Sequence, residues 1–209
     1  MTFITGPKEK KARSLGANLQ VKAERSLSQK SAMVRRPTRP GMHGKRRRML
    51  SEYGTQLAEK QKIRFSYGLE EKKMQRYVNA AINAKKVSAP EALVRELESR
   101  LDNFVFRAGF AGSRSIARIM VSHGHINVNG RRVDVPSKQV SIGDVISIRE
   151  GSRQNKLVGR VNESLKKYAA PSWIEMDPEK YTAKMKAHPA MDEVGIEYDI
   201  SLVLEYYSR

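Results

Sequence analysis

Through residues 51–122 the apolar positions recur at helical spacing, and beyond Gly124 they switch to every second residue. Ser51 carries the hydroxyl of an N-cap, which predicts a helix through about Phe65 with Gly68 as its stop. A second helix is predicted from about Glu70 to Lys86. At about 100° per residue, Met74, Tyr77, Val78, Ala81 and Ile82 fall on one face, and Lys72, Lys73 and Arg76 on the other. Ala89-Pro90 breaks the chain before a third helix, about Glu91 to Ala108, whose apolar positions are Leu93, Leu97, Leu101, Phe104 and Val105. Gly109 and Gly112 end it. Ser113 caps a short helix from Arg114 to about Ser122, with Ile116, Ile119 and Met120 inward. Ile126 and Val128 then alternate with Asn127 and Asn129, and Asn129-Gly130 is a strong hairpin-turn signal leading to Val133 and Val135. Gly143-Asp144 separates Val140 and Ile142 from the strand residues Ile146 and Ile148. In the tail, the lone Trp173 anchors by packing, and a last strand is predicted at Ile200 to Tyr206.

Helices followed by a small antiparallel sheet make the predicted fold class α+β. Four segments are expected: a basic extended arm over 1–45, a helical domain over 46–98, a small α/β module of two helices on a sheet over 99–165, and a C-terminal tail over 166–209 that returns to the helical domain.

Charge alters this picture most at the N-terminus. The 209 residues hold 40 Lys and Arg against 22 Asp and Glu, a formal charge of +18. Residues 1–48 alone carry a net +12, and residues 166–209 carry −2. Such an excess repels itself in the free chain and is neutralised by a polyanion. An anionic membrane is the weaker candidate, because no apolar run approaches the roughly 20 residues of a span. The chain has no cysteine, which excludes disulfides, a thiol nucleophile and thiolate zinc ligands. The stretch RRPTRPGMHGKRRR (35–48) mixes prolines and glycines with seven Arg or Lys residues. It is expected to be poorly ordered alone and ordered by RNA.

Candidate chemistry is therefore contact with nucleic acid. The densest constellation is residues 99–133. Arg114 and Arg118 stand four apart on one helix face, and Arg100, Asn103 and Arg107 are stacked on the helix before. Forked donors with little apolar area suit RNA read by shape and backbone. The candidate RNA-binding residues are Arg35, Arg36, Arg39, His43, Lys45, Arg46, Arg47, Arg48, Lys60, Lys62, Arg64, Lys72, Lys73, Arg76, Arg100, Asn103, Arg107, Ser113, Arg114, Arg118, His123, Asn129 and Arg131. No catalytic residue is assigned: there is no phosphate loop ending in Gly-Lys-Ser/Thr and no nucleophile elbow. His123, His125, His43 and His188 show no metal-ligand spacing, so no metal and no cofactor are expected.

Arg100-Leu101-Asp102-Asn103, Gly109-Phe110, Ser113-Arg114, VSHGHINVNG (121–130) and GDVISIRE (143–150) closely resemble the RNA-binding domain named after bacterial small-subunit ribosomal protein four. RRPTRPGMHG (35–44) and SEYGTQLAEKQKIRFSYG (51–68) resemble that family's N-terminal domain, and PSWIEMD (171–177) and LVLEYYSR (202–209) its tail. TGPK (5–8), Glu24-Arg25 and Ala32-Met33 resemble members whose arm holds zinc on four cysteines. Glu9, Ala12, Ser26 and Ser31 stand at those four positions here. The arm is therefore expected to hold no zinc, and to be held by RNA and neighbouring proteins.

The resemblance implies a structural constituent of the small (30S) ribosomal subunit and not an enzyme. It implies direct, early binding of the 5′ domain of 16S rRNA, nucleation of assembly, contact with small-subunit protein five and a place beside the channel by which mRNA enters. Lys45, Arg46, Arg47 and Arg48 match the family's basic stretch and are candidates for mRNA contact. Some members also repress their own messenger. A modifying enzyme guided by the same domain would need a further catalytic domain, for which the length leaves no room. The Arg-, Lys- and Ser-rich start has the composition of a mitochondrial transit peptide, but a resemblance beginning at residue 5 favours a cytoplasmic ribosome over an organellar one.

Overall fold

A computed structural model describes residues 7–19, 28–46, 49–153, 168–196 and 198–208. The chain forms two units, Met1–Leu93 with Glu197–Arg209, and Val94–Ile196. The described helices are α1 (Lys8–Leu15), α2 (Ala32–Arg35), α3 (Glu52–Ser66), α4 (Glu71–Ile82), α5 (Ala89–Glu98), α6 (Leu101–Arg107), α7 (Arg114–Ser122), α8 (Met191–Val194) and α9 (Ile200–Ser208). The strands are β1 (Ile126–Val128), β2 (Arg131–Arg132), β3 (Val145–Ile148), β4 (Ile174–Asp177) and β5 (Thr182–Met185). The fold is α+β.

In the first unit, the Ser51 hydroxyl accepts from Gly54 N at 3.2 Å and starts α3, as predicted. Gly68 follows at φ +63°, a left-handed residue past the helix end. Met74, Val78 and Ala81 of α4 are buried, while Lys72 and Arg76 face water and Ile82 is 47% exposed. The arm is less extended than predicted. Ala12 and Leu19 are buried and gather Leu15, Met33 and Phe65 around them, so apolar packing holds α1 and α2. Residues 20–27 lie outside the described set.

The segment 200–206 is a helix, not the predicted strand. Asp199 Oδ1 accepts from Ser201 N at 2.9 Å and Leu202 N at 3.3 Å, which caps α9. Ile200 and Val203, three apart, are then buried together. The β-branched and aromatic composition of this segment disguised a helix stabilised by its cap and its packing.

In the second unit the strands form one antiparallel sheet in the order β2-β1-β3-β5-β4. Asn129 at φ 50° and Gly130 at φ 78° make the predicted tight turn, pairing Val128 with Arg131. The predicted third helix is two helices. At the break, Leu101 N donates to Lys138 O (2.8 Å), Asp102 N to Pro136 O (3.1 Å) and Val140 N to Ser99 O (2.8 Å). The 136–140 loop thereby supplies partners for amides at the start of α6 that would otherwise be orphaned.

Residues 166–209 do not return as a block to the helical domain, which corrects the expected boundary. β4 and β5 extend the sheet instead, with Ile146 opposite Ala183, and only 197–209 belongs to the first unit. The physical reason is that β3, paired with β1 on one side, offers an open ladder edge on the other. Trp173, 2% exposed, packs edge-on to Phe104 with centroids 6.0 Å apart, tying β4 to the core beneath α6. The buried face of α7 is Ala117, Met120 and Val121, one step round from the predicted Ile116 and Ile119, which are half-buried.

Candidate nucleic-acid interface

α6 and α7 place four arginines in one cluster of the second unit. Ser113, extended at φ −161°, accepts from Ile116 N at 3.3 Å and starts α7, so that Arg114 and Arg118 lie one turn apart. Arg100 Nε and Nη2 donate to the two oxygens of Asp102 at 3.0 and 2.6 Å. Arg118 Nη1 lies 3.7 Å from the same carboxylate. Arg107 grips Glu98 with both arms of its fork, each at 3.0 Å, and also donates to Val194 O at 2.9 Å. Arg114 Nε donates to Asn103 Oδ1 at 2.7 Å, and its guanidinium lies 4.8 Å from the Phe106 ring centre. The side chains of Arg107, Arg114 and Arg118 keep 18%, 12% and 16% of their surface exposed. Guanidinium forks held at a partly open surface are the donors that phosphate oxygens accept from.

Three of the expected contact residues are buried. Arg100 is 1% exposed, Asn103 2% and Ser113 3%, and each is engaged within the protein. Asn129 is exposed, but its side chain ties the hairpin to β3: Oδ1 accepts from Val145 N at 2.9 Å and Nδ2 donates to Asp144 Oδ1 at 2.7 Å. His123 and Arg131 are exposed. Arg132 and Arg149, also exposed, are charged neighbours of His125.

In the first unit, Arg35, Arg36, His43, Lys45, Arg46, Lys72 and Arg76 are exposed, and Arg39 and Lys73 are half-buried. Arg47 and Arg48 lie outside the described residues. Lys60, 4% exposed, is a structural cation: its ammonium meets Glu71 at 2.9 Å and lies 4.3 Å from the Tyr206 ring centre. Lys62 pairs with Glu59, and Arg64 with Gln61, Leu69 O and Glu71.

Sequence reasoning missed Glu98. It stands five residues before Asn103 and nine before Arg107, across the helix break, so no single-helix spacing reveals it. The positions at which the resemblance places zinc ligands do not fit the ion here: Ala12 has no donor atom and the Ser31 hydroxyl accepts from Met33 N at 3.3 Å, while Ser26 lies outside the described residues. Among the described residues no three His, Cys, Asp or Glu side chains gather as a metal site would need, and no helix is long and apolar enough to cross a membrane.

Comparison with known proteins shows the family. Residues 4–98 match the family described as Ribosomal protein S4/S9 N-terminal domain, and residues 99–146 match the S4 domain. Small ribosomal subunit protein uS4 of Acetivibrio thermocellus is 42% identical over 213 aligned residues, covering all of both chains. The uS4A protein of Symbiobacterium thermophilum is 42% identical and uS4 of Acidithiobacillus ferrooxidans 43% identical, again over the whole of each chain. The chain therefore belongs to the family of small ribosomal subunit protein uS4, a structural and RNA-binding ribosomal family rather than an enzymatic one.

Proposed function

We propose that the chain binds the 5′ domain of 16S rRNA directly in the 30S subunit, nucleates assembly there, contacts small-subunit protein five and lines the channel by which mRNA enters, in a cytoplasmic ribosome. The observation that carries the rRNA reading is the arginine cluster on α6 and α7, where Arg107, Arg114 and Arg118 present partly exposed edges over two buried carboxylates. Lys45 and Arg46, exposed in the arm, are the described candidates for mRNA contact. Arg47 and Arg48 continue that stretch. Exposed Arg35, Arg36, His43, Lys72, Arg76, His123 and Arg131 are the remaining candidates for phosphate and sugar contact.

The test is affinity for 5′-domain rRNA against random duplex of equal length, measured for wild type, Arg114→Ala and Arg118→Ala across a salt series. Losing one well-desolvated charge-assisted hydrogen bond costs about 1.5–3 kcal/mol, or roughly tenfold to a hundredfold in affinity. Each lost phosphate contact should also flatten the salt dependence by about one unit of slope. The competing account, in which these arginines serve only Glu98, Asp102 and Asn103, predicts lower melting temperatures with wild-type affinity and slope. That outcome, or equal wild-type affinity for both RNAs, defeats the rRNA reading of this face.

A further inference from the structure

We infer that Glu98, acting through Asn103, is a positioning residue that sets the Arg114 fork for RNA before any RNA arrives. The inference rests on reading the α6–α7 face as an rRNA contact.

Glu98 is sealed from water, 0% exposed, at the C-terminal end of α5. A carboxylate buried this completely is unfavourable unless its oxygens are filled. They are filled. Arg107 Nε donates to Oε2 and Arg107 Nη2 to Oε1, each at 3.0 Å. Asn103 Nδ2 donates to Oε2 and also, at 3.4 Å, to the Glu98 backbone carbonyl, and Arg114 Nη2 lies 3.8 Å from Oε1.

The consequence reaches Arg114 through chemistry, not proximity alone. An ionised carboxylate only accepts hydrogen bonds, so Asn103 must turn its NH2 toward Glu98. The same turn aims the amide oxygen the opposite way, where it accepts from Arg114 Nε at 2.7 Å. A flipped amide would set two donors against the guanidinium and leave Glu98 facing a carbonyl. Glu98 thus dictates the orientation of Asn103, and Asn103 dictates that of Arg114. Phe106 closes the remaining freedom by lying 4.8 Å from the guanidinium carbon. An arginine fork is strong only when both arms meet their acceptor, and holding it beforehand lowers the ordering cost of binding.

A double-mutant cycle on the full chain tests this. Asn103→Ala removes the relay while leaving the Glu98–Arg107 pair intact. It should weaken 5′-domain rRNA binding by roughly fivefold to fiftyfold, with affinity for random duplex within about twofold, and should add nothing in an Arg114→Ala background. Glu98→Gln keeps the side chain's shape but one of its two ends now donates, while the backbone carbonyl of residue 98 still accepts from Asn103, so it should reproduce part of the loss of discrimination. An effect of Asn103→Ala that persists undiminished beside Arg114→Ala overturns the relay, as does wild-type affinity for Asn103→Ala when Arg114→Ala binds weakly. If Arg114→Ala itself binds normally, the reading of the face fails and the positioning role falls with it. Should the variants fail to fold, exchange of the Arg114 Nε–H with solvent in the RNA-free wild type decides. It should be slowed well below that of exposed Arg35, and equal exchange overturns the proposal.

Discussion

His125 lies just past the end of α7, its Nδ1 2.9 Å from Ser152 Oγ and its ring 6.0 Å, edge-on, from that of His123. Burial holds its pKa below the ordinary 6.5, and the charges of His123, Arg132 and Arg149 push the same way. The unfolded chain therefore takes up the proton first. Stability is complete above the ordinary value, declines as pH falls through 6.5, and levels off below the folded pKa. Urea midpoints should be flat between about pH 7.5 and 8.5 and drop between about pH 6.5 and 5.5. His125→Gln should remove most of that drop. A variant with the wild-type profile would place the titration elsewhere.

Among the elements, α9 is fastened to α3 and α4 by a clasp of mixed character. Lys60 of α3 lies between Glu71 and the ring of Tyr206, and Tyr207 donates to Glu71 Oε1 at 2.6 Å. Partial burial pushes the Glu71 pKa up, but the Tyr207 hydroxyl and the Lys60 ammonium outweigh it and the net direction is down. Burial and the adjoining carboxylate push the Tyr207 phenol up. Tyr207→Phe removes one hydrogen bond to a charged group whose side chain is 44% exposed, so the loss should be about 1 kcal/mol, below the range for a buried partner. Equal denaturation midpoints for wild type and Tyr207→Phe would show the clasp to be incidental.

The same elements show what the sequence made legible. Helical spacing and the hydroxyl caps Ser51 and Ser113 marked α3 and α7, and Asn129-Gly130 marked the hairpin, because each signal is local. The break at Ser99-Arg100 and the joining of β4 and β5 to β3 depend on partners about 35–40 residues away, which no periodicity records. The site divides the same way. Arg114 and Arg118 were visible as an i, i+4 pair. The burial of Arg100 and Asn103, and the role of Glu98, follow from the helix break and became visible only with it.

For the whole molecule, charge sets the balance between the free and the bound chain. A formal +18, with +12 of it in the first 48 residues, stores self-repulsion in the free protein. Added salt screens that repulsion over a Debye length of about 10 Å at 0.1 M, so the free chain should melt higher as salt rises from about 50 to 200 mM. With 5′-domain rRNA bound, a second and opposite effect enters. Binding stabilises the folded chain in proportion to the logarithm of free RNA over its dissociation constant. Salt raises that constant by counterion release, by roughly 10³-fold across the same range for about six phosphate contacts. The bound chain should then forfeit about 4 kcal/mol of linked stability, or roughly 8–16 °C for a chain of this size. Screening would recover only a small part of that. The two melting temperatures should therefore move in opposite directions, converging as salt rises. The measurement is thermal melting of the chain with and without excess 5′-domain rRNA along one salt series. Parallel curves would mean that the excess charge is not what the RNA neutralises, and the binding surface would have to be sought among uncharged contacts.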